Sequence, residues 1–279
     1  MERIAPLRLA GSWDNVGLLL ESPVQRPAKQ RILLTIDLTT AVLSEALTDG
    51  TSVIVSYHPP IFKGLQSFTL SNPLQASLLQ CAAQGISVYT PHTALDSVWG
   101  GVNDWLAEGV LGNDSEAGTV KSLVGGTTRA DMIDDGGEGR LVILNTSIGM
   151  DALERRIKTH LNLSQIQVGY AAALSSSLAR RSSSIRTIAV CAGSGGSMLL
   201  GKQADVYFTG EMSHHEVLAA VAAGKHVILC GHTNTERGYL PILASKLRRE
   251  LQGGEYQGFG LTDWEVIVSE NDRHPLQFV

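Results

Sequence analysis

The residues best placed to do chemistry in this chain are three histidines, each of which follows an apolar run and two of which have a carboxylate four residues on. In the stretch 231–238, GHTNTERG, the partners are His232 and Glu236. On a helix beginning there, both side chains would lie on one face near its first turn. An imidazole and a carboxylate so placed can share one divalent cation. PHTALD repeats the offset with His92 and Asp96, after the run 86–89. His58 follows the run 52–56 and precedes Pro59 and Pro60, which force the chain out of regular structure. If these runs are strands of one kind of open parallel sheet, the histidines converge outside the carboxyl ends of the strands, where such sheets bind ligands.

Other polar residues stand at similar exits. Asp37 ends the run 31–36 and could either stand behind a metal ligand or cap the helix expected at 41–47. Glu211, His214 and His215 follow the run 204–208 in TGEMSHHE. Ser213 with Glu216 makes a capping box there, a purely structural duty, and Glu211, His214 and His215 are candidates for lining a site or holding a metal. His160, His226 and His274 lack an acidic residue at the ligand offset and read as structural or surface residues. Trp13-Asp14-Asn15 reads as a buried tryptophan and a turn. The glycine-rich turn at 192–197 follows the run 185–191 and could hold a phosphate on its backbone N–H groups; its spacing fits neither the P-loop nor the dinucleotide fingerprint, and a tight turn that lets a helix pack closely is the favoured alternative.

These residues need strands and helices in alternation to hold them. Strands are expected at 53–56 and 86–89 with a helix over 73–84 between them, a right-handed parallel unit. Residues 111–139 are rich in Gly, Asp, Ser and Thr without sustained apolar periodicity, and read as a flexible linker. The rhythm then resumes with a strand at 140–145, a helix at 150–161, short strands at 166–169, 185–191 and 204–208, a helix from about 235 to 251, and a strand at 263–269. The expected organisation is a first α/β lobe over 1–110, the linker, and a second α/β lobe over 140–279. Each lobe is expected to be a three-layer α/β structure with a mixed or mostly parallel sheet.

Composition narrows the function. A chain of 279 residues that is 43% hydrophobic can bury a sizeable core. A net charge of −5 and basic residues no more clustered than pairs such as Arg155-Arg156 give no electrostatic footprint for nucleic acid. Three widely spaced cysteines suggest neither a disulfide framework nor a structural zinc site, and point to a reducing compartment. No apolar run reaches membrane-spanning length. A soluble cytoplasmic protein is expected, with the nucleus or mitochondrion as further locations.

With WDNVGLLLE, SYHPPIF, PHTALD, TGEMSHHE and GHTNTERG in this order, the chain resembles the GTP cyclohydrolase I type 2 homologue family, also called the Nif-three-like proteins. The resemblance covers nearly the whole chain; CAGSGGS and the closing NDRHPLQFV also look like family segments. It implies two similar α/β lobes around a dinuclear metal site and assembly into a homohexamer. By motif, one metal would take His58, Asp96 and Glu236 and the other His232 and Glu236, with Glu236 bridging and His92 as a neighbour or further ligand. Many bacterial members have His-His where this chain has Tyr57-His58, so the second metal would lose an imidazole. Longer members also carry an inserted domain where this chain has only 111–139. The resemblance implies one or two divalent ions per subunit, zinc, iron or manganese, and a metal-dependent hydrolase of a nucleotide or related phosphate or amide substrate. The alternative it implies is a non-catalytic, metal-stabilised oligomer that works through protein partners such as transcriptional regulators.

Overall fold

Strand β2 (Arg31–Thr35), almost wholly buried, is an inner strand of the first of two compact units. The computed structural model describes residues 1–24, 30–112, 117–125, 135–171, 183–253 and 263–276. Ahead of β2 lies β1 (Gly17–Leu20); after it come helix α1 (Thr40–Asp49), strand β3 (Val53–Ser56), helix α2 (Pro73–Ala83) and strand β4 (Ser87–Thr90). Thr39 caps α1 by accepting the Val42 N–H, and Gly50 ends it in the left-handed conformation. Asn72 caps α2, with Pro73 at the first position. Strands β2, β3 and β4 pair in parallel, as the strand–helix–strand rhythm requires, while β1 joins β4 antiparallel at the edge. Leu33, Val42, Leu43, Ile54, Leu78 and Val88 close the core between this sheet and its helices. His58 and His92 therefore leave from adjacent strands.

Helix α3 (His92–Ser97) leads out of the first unit, whose N-terminal segment ends at Leu95. The second unit, Asp96–Gly238, begins with helix α4 (Val102–Leu111) and contains strands β5 (Gly118–Val124) and β6 (Glu138–Gly149), helix α5 (Met150–Leu161), and strands β7 (Gln167–Gly169) and β8 (Ser184–Ser194). After the one-turn helix α6 (Gly196–Leu199) come strand β9 (Val206–Glu211), helix α7 (His214–Ala222) and strand β10 (His226–Leu229). The sheet order is β5-β6-β8-β9-β10-β7. It is mixed: β8, β9 and β10 are parallel, whereas β5, β6 and β8 are antiparallel, as are β10 and β7. The fold is thus a two-lobed α/β structure with two mixed sheets.

Three features depart from the local reading. The chain returns to the first unit at Tyr239: helix α8 (Leu240–Gln252) and strand β11 (Glu265–Val268) belong there because β11 pairs in parallel with β2. Helix α4, placed by the expected boundaries in the first lobe, packs on β6, β8 and α5. Residues 118–124 of the expected linker are β5, an edge strand paired with β6 along its length; none of its residues is fully buried and its exposed positions mix Thr119, Lys121 and Val124, so no clean apolar alternation announces it. Of the rest of that segment, 113–116 and 126–134 lie outside the described residues. No helix among the described residues is long and apolar enough to cross a membrane. Cys81, Cys191 and Cys230 are all buried thiols.

Candidate functional site

In the first unit the histidines at the ends of β3 and β4 each rest on a carboxylate. His58 Nδ1 lies 2.9 Å from Asp37 Oδ1. Thr39 supplies the cap of α1, so Asp37 does not take that role; its carboxylate engages His58 instead. His92 Nδ1 lies 2.7 Å from Asp14 Oδ1, and the other oxygen of Asp14 accepts the Thr93 N–H and hydroxyl. An imidazole whose Nδ1 donates to a carboxylate is held in one tautomer and ring orientation, with Nε2 as the atom it presents. The rings of His58 and His92 are 5.6 Å apart, and Tyr57, buried to 2% exposure, packs against both at 5.1 and 5.6 Å. His92 has φ +33°, a conformation that non-glycine residues seldom adopt and that its surroundings must hold in place.

The WDN segment reverses its expected arrangement. Trp13 is 64% exposed, while the Asp14 side chain is fully buried. The tryptophan stands edge-on to Phe62 and His92, and the aspartate turns inward because it has an imidazole and Thr93 to satisfy it. Burial raises the Asp14 carboxyl, but the hydrogen bonds from His92 and Thr93 outweigh it and hold the pKa below the usual aspartate range. The sequence signal was present in the adjacency of Trp13 and Asp14 at the head of a family motif; the wrong one of the two reads as the core residue.

In the second unit, His232 Nδ1 lies 2.9 Å from Glu211 Oε1, and its Nε2 lies 3.2 Å from Glu236 Oε1. Glu236 is buried. The two residues do not share a helix beginning at 231: His232–Thr235 and Arg237–Tyr239 are two short 3-10 turns, and α8, expected from about 235, starts only at Leu240 with Pro241 in its first turn. Gly231 at φ +85° and Glu236 at φ −125° break regular helical geometry between them. The four-residue offset still brings imidazole and carboxylate together because a 3-10 turn also folds the chain back within three or four residues. Burial works against a charge on His232, but the carboxylates of Glu236 and Glu211 prevail and raise its pKa to about 9.

The glycine-rich turn after β8 closes this arrangement. Gly193, at φ +62°, has its backbone so near that a Cβ there would stand 2.7 Å from Glu236 Oε1 and 2.9 Å from His232 Nε2. Thr235 Oγ1 accepts the Gly193 N–H, and Thr209 Oγ1 donates to its carbonyl. The turn is tight, as expected, but what it approaches is the His232–Glu236 pair as well as a helix. Asp96 belongs to the same surroundings: burial, then the carboxylates of Asp96, Glu236 and Glu138, push the Cys191 thiol well up, so that it stays protonated. Buried Asn103 donates to the Asp96 carbonyl and accepts the Ala192 N–H, tying Asp96 to the end of β8. His214 and His215 are exposed in the first turn of α7, ring to ring at 5.4 Å, and the Ser213–Glu216 capping box is present there. His226 is buried beside the Ala171 N–H, and His160 packs on Trp105.

Each unit therefore offers a constellation suited to a divalent cation. The first presents imidazoles oriented by Asp37 and Asp14; the second presents His232, oriented by Glu211, beside the carboxylate of Glu236 under a glycine that leaves room at their donor atoms. Imidazole with carboxylate suits zinc, iron or manganese.

The family model for Duf34/NIF3 (NGG1p interacting factor 3) matches residues 1–275. The chain is 45% identical over 278 residues to the "Protein NIF3 homolog" of Schizosaccharomyces pombe, covering 99% of this chain and 94% of that one. It is 39% identical over 274 residues to "NGG1-interacting factor 3" of Saccharomyces cerevisiae, covering 95% and 89%. Among solved structures it is similar to a Bacillus cereus protein related to NIF3 (TM-score 0.75, 18% identity, 100% and 96% covered) and to reduced HcgD from Methanocaldococcus jannaschii (0.71, 24%, 96% and 94%). At these identities the structures establish a shared fold.

Proposed function

This chain belongs to the Duf34/NIF3 family, and on that premise we propose that it binds one or two divalent metal ions and acts as a metal-dependent hydrolase on a nucleotide or a related phosphate or amide substrate. The proposed ligands are His58 of the first unit and Asp96, His232 and Glu236 of the second, with Glu236 bridging. The observation that carries the reading is the carboxylate on Nδ1 of His58, His92 and His232, the usual support of a metal-binding imidazole. When bound, divalent ions lower the pKa of water and polarise a phosphoryl or carbonyl oxygen. The chain's own part is to fix the imidazoles, to keep Glu236 buried and to hold the donor atoms clear with Gly193. Tyr57 packs against both His58 and His92 and offers a phenol in place of an imidazole, so that a second metal would lack that nitrogen donor.

A second reading, a hexameric metal-stabilised scaffold in which catalysis plays no part, is favoured by the name of the budding-yeast relative, which is called an interacting factor. One experiment separates the two. Metal content and turnover of GTP and of simple phosphate esters are measured for the wild-type chain and for Glu236→Ala. Turnover that disappears with the metal in the variant supports the hydrolase. Bound metal without turnover supports the scaffold, and absence of metal after incubation with zinc, manganese or iron overturns both.

A further inference from the structure

The first unit holds a cleft of about 520 Å³ whose wall includes both Asp37 and His58. That volume is in the range of small-molecule sites, much larger than a single inorganic anion needs. Pro59, Pro60, Leu74 and Pro275 make an apolar, conformationally stiff wall, and the exposed Thr40 opens onto it. Its single lysine or arginine among the described lining residues is Arg273, whose guanidinium makes no hydrogen bond or ion pair among the described residues.

Arg273 is carried on a built turn. Next to it, buried Asp272 accepts the Ile36 N–H at 2.8 Å and donates its own N–H to Ser269 Oγ. On the other side, His274 Nδ1 accepts the Leu276 N–H at 3.0 Å. Glu45 on α1 accepts from Ser269, Glu270 and Asn271. A long cationic side chain is thus mounted at a defined place beside an apolar recess. Asp37, the acidic group in the same wall, is engaged by His58.

We propose that this cleft binds a small organic oxyanion, a phosphate ester or a carboxylate, with Arg273 taking the charged group and the proline–leucine wall taking the organic part. A guanidinium matches either oxyanion in a two-point hydrogen bond, which is why the shared chemistry rather than one of them is assigned. That this ligand is the substrate of the proposed metal chemistry rests on that reading, and follows from His58 lining the same cleft.

The test is calorimetric titration of the full-length chain with phenyl phosphate, benzoate and inorganic phosphate, alongside metal analysis of each sample. Saturable binding of phenyl phosphate or of benzoate, tighter than that of inorganic phosphate, is expected, and which of the two binds better identifies the anion. Arg273→Gln should weaken it about tenfold or more, and Arg273→Lys should recover part of the loss. Should Arg273→Gln disturb the fold, as read by circular dichroism, Thr40→Trp fills the cleft from its exposed rim and should have the same effect. No saturable binding to the wild-type chain overturns the proposal. So does binding that Arg273→Gln leaves unchanged, including binding that a chelator abolishes, which places the anion on the metal. Arg273-dependent binding by protein without metal upholds the cleft while the hydrolase reading fails.

Discussion

The carboxylate of Asp14 is wholly shielded from solvent and meets His92 Nδ1 at 2.7 Å, although the residue before it, Trp13, stands mostly in water. This pair joins the loop before β1 to the start of α3 and holds His92 in a backbone conformation it would not adopt by itself. Replacing Asp14 with Ala removes the acceptor for His92 and for both donors of Thr93. We expect a loss of about 1–3 kcal/mol in denaturant unfolding, with Asn recovering part of it. Unchanged stability would mean that these donors find other acceptors.

Gly193→Ala tests the approach of the glycine turn to the metal-ligand candidates. The added Cβ has a buried carboxylate and an imidazole within 3 Å, and the φ of +62° disfavours any side chain. Metal content should fall at least severalfold, with a thermal midpoint lowered by a few degrees, equivalent to roughly 1–2 kcal/mol. Metal content equal to wild type would show that the pair moves aside without cost to binding.

Arg140 is the largest fully buried side chain of the second unit. Its guanidinium pairs with Asp104 at 2.6 and 2.8 Å, donates to the carbonyls of Ser97, Val98, Gly137 and Gly139, and lies 4.3 Å from the Trp99 ring centre. It fastens the chain directly after Asp96. Arg140→Met leaves Asp104 and four carbonyls without their donor, and should cost about 3–5 kcal/mol in equilibrium unfolding. A double substitution with Asp104→Leu should lose less than the sum of the single changes.

Glu45 supplies a pH dependence through a carboxylate that is not among the candidate metal ligands. Burial raises its carboxyl, but donors from Ser269, Glu270 and Asn271 outweigh burial and hold the pKa below the ordinary 4.5. A carboxylate depressed in the folded state adds stability that is present above 4.5 and disappears as pH falls through the folded value. Glu45→Gln should therefore narrow its stability gap to wild type as pH drops from 5 towards 3, measured by urea unfolding. A gap that is constant over that range would place the effect in packing instead of charge.

Much of this protein was legible by itself in the sequence because it depends on neighbours within one element. The strands ahead of His58, His92 and His232, the helices capped by Thr39 and Asn72, and the Ser213–Glu216 capping box follow from apolar period, turn residues and caps read over a few positions. The ordered motifs were enough to place the chain in its family. What only the tertiary structure decided are relations across long separations. Asp14 and not Trp13 is the buried residue because an imidazole 78 positions away satisfies it. Arg140 is buried because Asp104 and carbonyls from two separate loops meet it, and no local pattern announces such a convergence. The last helix and strand belong to the first unit because β11 finds its partner in β2, more than two hundred residues earlier in the chain. Pairing of that kind is selected by the edge a folded sheet presents, which a strand's own residues do not encode.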